Sequence, residues 1–240
     1  YLLLAKPERT LSVLQQWTRD PNLHVRRLVS EGIRPRLPWA MRLPAFIEDP
    51  TPLLPLLEAM KDDPEEYVRR SVANNLNDIA KDHPDTVAAI AHAWLKNAGR
   101  HRQRLVKHAC RTLVKQGHKG ALAALGYAPP RIEIKRLTIL TPRVLFGNSL
   151  VFELSLVSTS KRSQALMIDY AIHHQKANGR TTAKVFKWKN IRLNAHKNHH
   201  AIRKHAIRKI TTRSYYPGTH SVEILINGVA CGRKDFELKM

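Results

Sequence analysis

A chain of 240 residues that is 43% hydrophobic and 25% charged can build two ordinary domains with a core in each, and its composition excludes a disordered segment. Its 41 Lys+Arg against 19 Asp+Glu leave a formal charge of +22, which calls for a polyanionic partner, nucleic acid ahead of an anionic membrane surface. No apolar run reaches the ~18–20 residues that span a bilayer, and no signal peptide is visible. Cys110 and Cys231 offer neither a disulfide framework nor metal spacing, which suits a reducing cytosol. The chain opens on Tyr1 inside an apolar helical pattern, which reads as a start within a longer protein.

From the N-terminus the pattern is helical. Leu11, Leu14 and Trp17 have helical spacing. Asp20-Pro21 is read as the start of a helix carrying Val25, Leu28 and Val29. Leu53, Leu56, Leu57 and Met60 predict another helix, and Pro64 opens one with Val68, Val72, Leu76 and Ile79 inward. Val87 to Leu95 follows, then a last long helix through Leu105, Ala109, Leu113 and Val114, ended by Gly117. Within this region Asp20-Pro21-Asn22-Leu23-His24-Val25-Arg26-Arg27 returns 43 positions later as Asp63-Pro64-Glu65-Glu66-Tyr67-Val68-Arg69-Arg70, with a weaker copy at Val106 to Cys110. That period is the one expected of HEAT-type repeats.

Pro129-Pro130 is the expected boundary. Beyond it the apolar period changes to two at 151–156, 166–172, 222–226 and 235–238, with turn signals at Gly147-Asn148, Asn178-Gly179, Pro217-Gly218 and Asn227-Gly228. The expectation is an all-α HEAT-like helical repeat solenoid over 1–128, followed by an all-β immunoglobulin-like sandwich of about seven strands over 129–240. Residues 1–130 carry 20 basic and 13 acidic side chains, and residues 131–240 carry 21 and 6. The stretch 184–209 holds no acid at all, so the sandwich is a candidate clamp on a phosphate backbone.

Two acidic residues stand out. Glu31 follows Arg26-Arg27 and precedes Arg34-Pro35-Arg36-Leu37-Pro38-Trp39, a stiff, Arg-rich loop ending in an aromatic. Arg suits phosphate contacts, and Trp offers a π face to a base or cation. A carboxylate among those cations stays ionised. The plain alternative is that Glu31 merely pairs with Arg27 or Arg34. Asp78 shares a helical stripe with Ser71, Asn74 and Asn75, and Asn and Asp are poor helix formers, so the stripe is either functional or a polar seam between repeats. His83 and the later histidines have no partners at ligand spacing, and no phosphate loop, nucleophile elbow or zinc motif is present, so neither metal nor cofactor is expected.

Trp17 to Asn22 with Val25-Arg26-Arg27 resembles the helical-repeat DNA glycosylases of the AlkC/AlkD group. The stretches Arg26 to Trp39, Val68 to Pro84 and Lys107 to Lys115 point to its AlkC branch, some members of which carry an appended immunoglobulin-like domain. The resemblance implies a monofunctional enzyme that removes small N-methylated bases, of the 3-methyladenine and 3-methylcytosine type, from duplex DNA without a closed base-flipping pocket. It implies Glu31 and Asp78 as the carboxylates at the lesion and Trp39 as the aromatic against it. Arg27, Arg34, Arg36, Arg70, Asn75, Lys107, His108 and Arg111 are the accompanying DNA contacts. The expected partner is double-stranded DNA containing alkylated bases, bound by a cytoplasmic monomer away from membranes. A further family acid would fall just before Tyr1. A non-catalytic nucleic-acid scaffold, or an adaptor whose sandwich docks on acidic partners, remain the alternatives.

Overall fold

The computed structural model describes residues 2–211 and 213–240, which divide into two compact units, Tyr1–Leu125 and Gly126–Met240. The first unit contains α1 (Leu2–Ala5), α2 (Pro7–Trp17), α3 (Leu23–Gly32), α4 (Pro44–Glu48), α5 (Leu54–Ala59), α6 (Glu66–Ile79), α7 (Pro84–Leu95), α8 (Arg100–Ala109), α9 (Arg111–Lys115) and α10 (Lys119–Ala124). Helix α6 lies between α3 and α8, and α7 packs on α8 and α10. Val29, Val68, Val72, Leu76, Leu105 and Leu113 are all buried along these contacts. None of the helices among the described residues is long and apolar enough to cross a membrane.

The repeated motif has a concrete structural meaning. In the first copy, Arg26 Nη1 donates to the carbonyls of Asp20 and Pro21 at 2.9 and 3.1 Å. In the second, Arg69 Nη1 donates to the carbonyls of Asp63 and Pro64, the latter at 2.7 Å. The first Arg of each pair therefore turns back and braces the turn that starts its own helix. Arg26 also joins the two copies through Asp63, with Nε and Nη2 at 2.6 and 3.1 Å from the carboxylate. The caps differ from the expected ones. Asn22, not Asp20, accepts from His24 N at 2.9 Å to cap α3, while Asp20 accepts from Asn22 N. Likewise α6 begins at Glu66, two residues past Pro64, with Asp63 accepting from Glu65 N at 2.9 Å.

The expectation of an all-α HEAT-like solenoid followed by an all-β sandwich is corrected. The chain is about 36% helical and 32% strand, a helical N-terminal region followed by a β-sheet domain, and its helical region is not a train of interchangeable helix pairs. Proline is the physical reason over the middle of that region. It removes a backbone donor and clashes with the preceding turn. Pro44, Pro50, Pro52 and Pro55 leave only the 5-residue α4, a single 3₁₀ turn at Thr51–Leu53 and the 6-residue α5 between α3 and α6. The last long helix is also interrupted, at Cys110 (φ −80°, ψ 3°), giving α8 and α9.

The second unit contains β1 (Ile132–Ile139), β2 (Arg143–Leu145), β3 (Ser149–Ser158), β4 (Gln164–Gln175), β5 (Thr181–Leu193), β6 (Asn198–Ala206), β7 (Gly218–Ile226) and β8 (Val229–Lys239). They form a three-stranded sheet, β1-β3-β6, and a five-stranded sheet, β2-β8-β7-β4-β5, antiparallel except for β2 with β8. Strand β3 alternates strictly, placing Leu150, Phe152, Leu154 and Leu156 in a core shared with Leu166, Ile168, Tyr170, Val222 and Ile224. Asn227 (φ 48°) and Gly228 (φ 76°) both take left-handed conformations, as a two-residue hairpin between twisted strands requires. Tyr215 packs its ring against His174 and Phe146.

Replacing Asp63 with Ala removes both Arg26 bonds and the turn bond to Glu65 N, and is expected to cost about 2–3 kcal/mol of folding stability. Denaturant unfolding followed by far-ultraviolet circular dichroism checks this. A loss within 0.5 kcal/mol would mean that the link between the two copies carries no weight.

Candidate functional site

Three side chains from two helices and one loop form the charged centre of the helical region. Arg34 lies just past α3, between buried Ile33 and Pro35, and is itself only 9% exposed. Its Nη1 donates to Glu31 Oε1 at 2.6 Å, and its Nε and Nη2 reach Asp78 Oδ2 at 2.8 and 2.7 Å. One guanidinium thus holds both carboxylates. Glu31 Oε2 accepts from Ser71 Oγ at 2.7 Å and lies 3.4 Å from Arg27 Nη2. Asp78 Oδ1 accepts from Lys81 Nζ at 2.8 Å.

The two acids are not equivalent. The Asp78 side chain is almost wholly buried, at 4% exposure, while Glu31 keeps 17%. Burial opposes ionisation of Glu31, but hydrogen bonds from Ser71 and Arg34 and the charges of Arg34 and Arg27 outweigh it and hold the carboxyl below its usual 4.5. Burial likewise disfavours the Arg34 cation, and its bonds to Glu31 and Asp78 more than compensate.

The loop after Arg34 is closed by a hydrogen bond from Leu43 N to Pro35 O at 3.1 Å. At its tip Trp39 has φ 64°, a left-handed conformation that a bulky residue adopts at a cost, and its side chain is entirely exposed. Arg36, in the same loop, is committed to Asp82, with Nε and Nη2 each 2.7 Å from the carboxylate.

Of the other expected site residues, Arg27 stands beside Glu31 with its guanidinium 4.5 Å from the centre of the Tyr67 ring. Asn75 is fully buried. Its Nδ2 donates to Ser30 O at 2.9 Å, tying α6 to α3, and its Oδ1 has no partner among the described residues. His108 and Arg111 converge on Asn74 Oδ1, at 3.0 and 3.2 Å. Burial, then the charges of Arg111 and Arg70, push the His108 imidazole below its usual value. Arg70 and Lys107 are exposed on α6 and α8. Glu31, Arg34, Asp78 and Arg27 therefore form one network; Trp39 stands at the tip of the adjoining loop, and Arg70, Lys107, His108 and Arg111 lie toward α8 and α9. Asp82 and Tyr67 were not singled out from the sequence, and Asn74 only as part of the polar stripe on its helix. Tyr67 lies within the repeated motif, directly before Val68, which is the signal that could have drawn attention to it.

Among the described residues no three His, Cys, Asp or Glu side chains gather to hold a metal ion. His83 donates Nε2 to Ile47 O at 2.7 Å as a packing contact. Burial pushes the Cys110 thiol up to about 11, far from nucleophilic use.

The chain is thus a two-unit protein, a helical region with an Arg-bridged carboxylate pair followed by a β-sheet unit with basic edge strands. Residues 2–125 match the family described as DNA alkylation repair enzyme, and the chain belongs to that family. Residues 133–240 match the C-terminal Ig-like domain described for YhaZ. The chain is 43% identical over 239 residues to the YhaZ protein of Bacillus subtilis (strain 168), covering 98% of this chain and 66% of that protein. It superposes, with a TM-score of 0.93 and 42% identity, on the Pseudomonas fluorescens alkylpurine DNA glycosylase AlkC bound to DNA containing an abasic site analog, covering 100% of this chain and 67% of that one. The chain thus spans about two thirds of the length of both relatives.

The contribution of ionised Glu31 to stability is expected to be fully present above pH ~4.5 and to fade as pH falls through its lowered folded-state value. In Glu31→Gln that part of the acid dependence should vanish. Urea midpoints of the two proteins between pH 3 and 7 check this; parallel curves over the whole range would contradict it.

Proposed function

We propose that the chain acts in DNA alkylation repair as a glycosylase, hydrolysing the N-glycosidic bond of small alkylated bases in duplex DNA. The observation that carries this reading is the Glu31–Arg34–Asp78 array, with Trp39 exposed on the loop that follows Arg34. Kinship with an alkylpurine DNA glycosylase supports it.

The chemistry suits these groups. A base methylated at a ring nitrogen already carries positive charge, leaves readily and needs no general acid. The site must stabilise the oxocarbenium-like sugar and direct water onto it. Glu31, ionised and partly exposed, is the carboxylate for that task. Asp78, buried with both oxygens engaged, acts through Arg34 as a positioning residue that keeps the guanidinium and hence Glu31 in place. Trp39 takes the cationic base by stacking and cation–π attraction, worth ~0.5–2 kcal/mol. Its complete exposure accords with contact to a base that is not enclosed in a pocket. Arg27, stacked on Tyr67, and Arg70 face the phosphate backbone, and the basic β5 and β6 strands supply a second contact surface on DNA.

A non-catalytic scaffold is the second reading, favoured by the fact that both Glu31 oxygens are already occupied. Methylated duplex DNA incubated with the protein separates the two. Free methylated base and alkali-labile abasic sites are expected with the native chain. Glu31→Gln is expected to lower the release rate at least ~100-fold while duplex affinity stays within about threefold. Trp39→Ala is expected to lower release by roughly tenfold or more on methylated DNA, through loss of lesion contact. If the native chain binds duplex DNA but frees no base, the scaffold reading stands.

A further inference from the structure

Between α6 and α8 lies a cavity of about 200 Å³ whose lining includes Glu66, Arg69 and Arg70 from α6 and His101, Arg104 and His108 from α8. Its three arginines outnumber its single acid. Arg69 is braced by backbone carbonyls and lies near His101 Nδ1 at 3.3 Å, so no carboxylate neutralises it. Arg70 and Arg104 make no hydrogen bond or ion pair with the described residues. Four other arginines of the helical region are matched to acids at short range: Arg26 to Asp63, Arg34 to Glu31 and Asp78, Arg36 to Asp82, Arg102 to Asp62. Two unmatched arginines in the lining of this small cavity offer forked donors for a tetrahedral anion.

We propose that this cavity is a seat for one internal phosphodiester group of DNA, with Arg70 and Arg104 as its charged donors and His101 and His108 as its polar walls. This rests on the DNA-repair reading above and adds Arg104 and His101 to it. The seat adjoins the carboxylate network. Arg70 is the immediate neighbour of Ser71, which bonds Glu31, and His108 is tied to Asn74 one turn along α6. A phosphate held here fixes the register of the strand against Glu31. Its charge also offsets the Arg70 and Arg111 charges that act on His108, so occupancy favours a protonated imidazole and binding takes up a proton. The remaining groups around His108 are Asn74 from α6, Arg104 and His101 on its own helix and, from α6 across the cavity, Glu66 and Arg69.

The test uses the full chain and undamaged duplex DNA, with affinity measured by fluorescence anisotropy across a salt series. Arg104→Gln is expected to lower the slope of log affinity against log salt by about 0.9, the value for one phosphate contact. Arg102→Gln, an equal loss of charge on the same helix but from a residue already paired with Asp62, is expected to leave the slope nearly unchanged. Equal slopes for the two variants overturn the proposal. In a second arm, inorganic phosphate is titrated at constant pH while the His108 ring-proton resonance is followed. A shift with inorganic phosphate, but no change in the duplex slope of Arg104→Gln, would mark a site for free phosphate and overturn the assignment to DNA. Base release measured in parallel keeps the two readings apart: a lowered slope in a protein that frees no base would leave the phosphate seat standing and remove the glycosylase.

Discussion

The site depends on one guanidinium. Arg34 contacts carboxylates that lie on opposite sides of it in sequence, Glu31 three residues before and Asp78 forty-four after. Removing two carboxylates and a guanidinium from water is costly, and such a cluster persists only when nearly every donor and acceptor is used. Here Ser71, Lys81 and Arg27 complete the partners. The bond network fixes more than the charges. With Arg34 clamped to α6 and Leu43 N bonded back to Pro35 O, the intervening loop has both ends held, and Trp39 is presented at its tip in a strained backbone conformation. The strain at φ 64° is sustained because the ends of the loop are over-determined.

The repeated Asp-Pro…Val-Arg-Arg motif was legible as a repeat, and its period was legible, but the division of labour inside it was not. Arg26 and Arg69 fold back onto the carbonyls of their own Asp-Pro turns, whereas Arg27 lies beside Glu31 and Tyr67 and Arg70 is exposed. Nothing in a linear pattern distinguishes the two members of an Arg-Arg pair, because the choice is made by where helix and turn place the unpaired carbonyls. The third copy shows the rule by exception. Lys107 occupies the place of Arg26 and Arg69, but no Asp-Pro turn precedes α8, and Lys107 is exposed. The proline-rich segment before α6 could be seen in the sequence; its effect, three fragments in place of one helix, makes the repeats unequal and undoes the regular solenoid.

In the β-sheet unit, legibility followed burial. Strands β3, β4, β7 and β8 carry the core and show apolar patterning. Strands β5 and β6 lie at sheet edges and are largely exposed, so their sequences are basic and polar and look like loop until the backbone pairing is seen. The same residues that hid these strands, Lys184, Lys187, Arg192 and Lys204, carry much of the positive charge there. The Glu31–Asp78 pairing was only partly legible. Each acid could be flagged by its neighbours, and the plain alternative of Glu31 pairing with Arg27 or Arg34 is the geometry found. What local spacing could not reveal is that the same Arg34 reaches Asp78.

Counting paired and unpaired cations changes what the net charge of the helical region means. An arginine bonded to a carboxylate at under 3 Å contributes a dipole rather than a charge to a polyanion approaching from beyond the ~8–10 Å screening length. Arg26, Arg34, Arg36 and Arg102 are all in that condition. Among the cations that form no ion pair with the described residues are Arg70 on α6 and Arg104 and Lys107 on α8. The unpaired cations and the carboxylate network are therefore set on different faces of one helix. Residues 71, 75 and 78 of α6 turn toward α3, and residues 70 and 74 turn toward α8. A carboxylate placed directly among the free cations would weaken binding; bridged by Arg34 and set one helix face away, Glu31 keeps its charge without cancelling theirs.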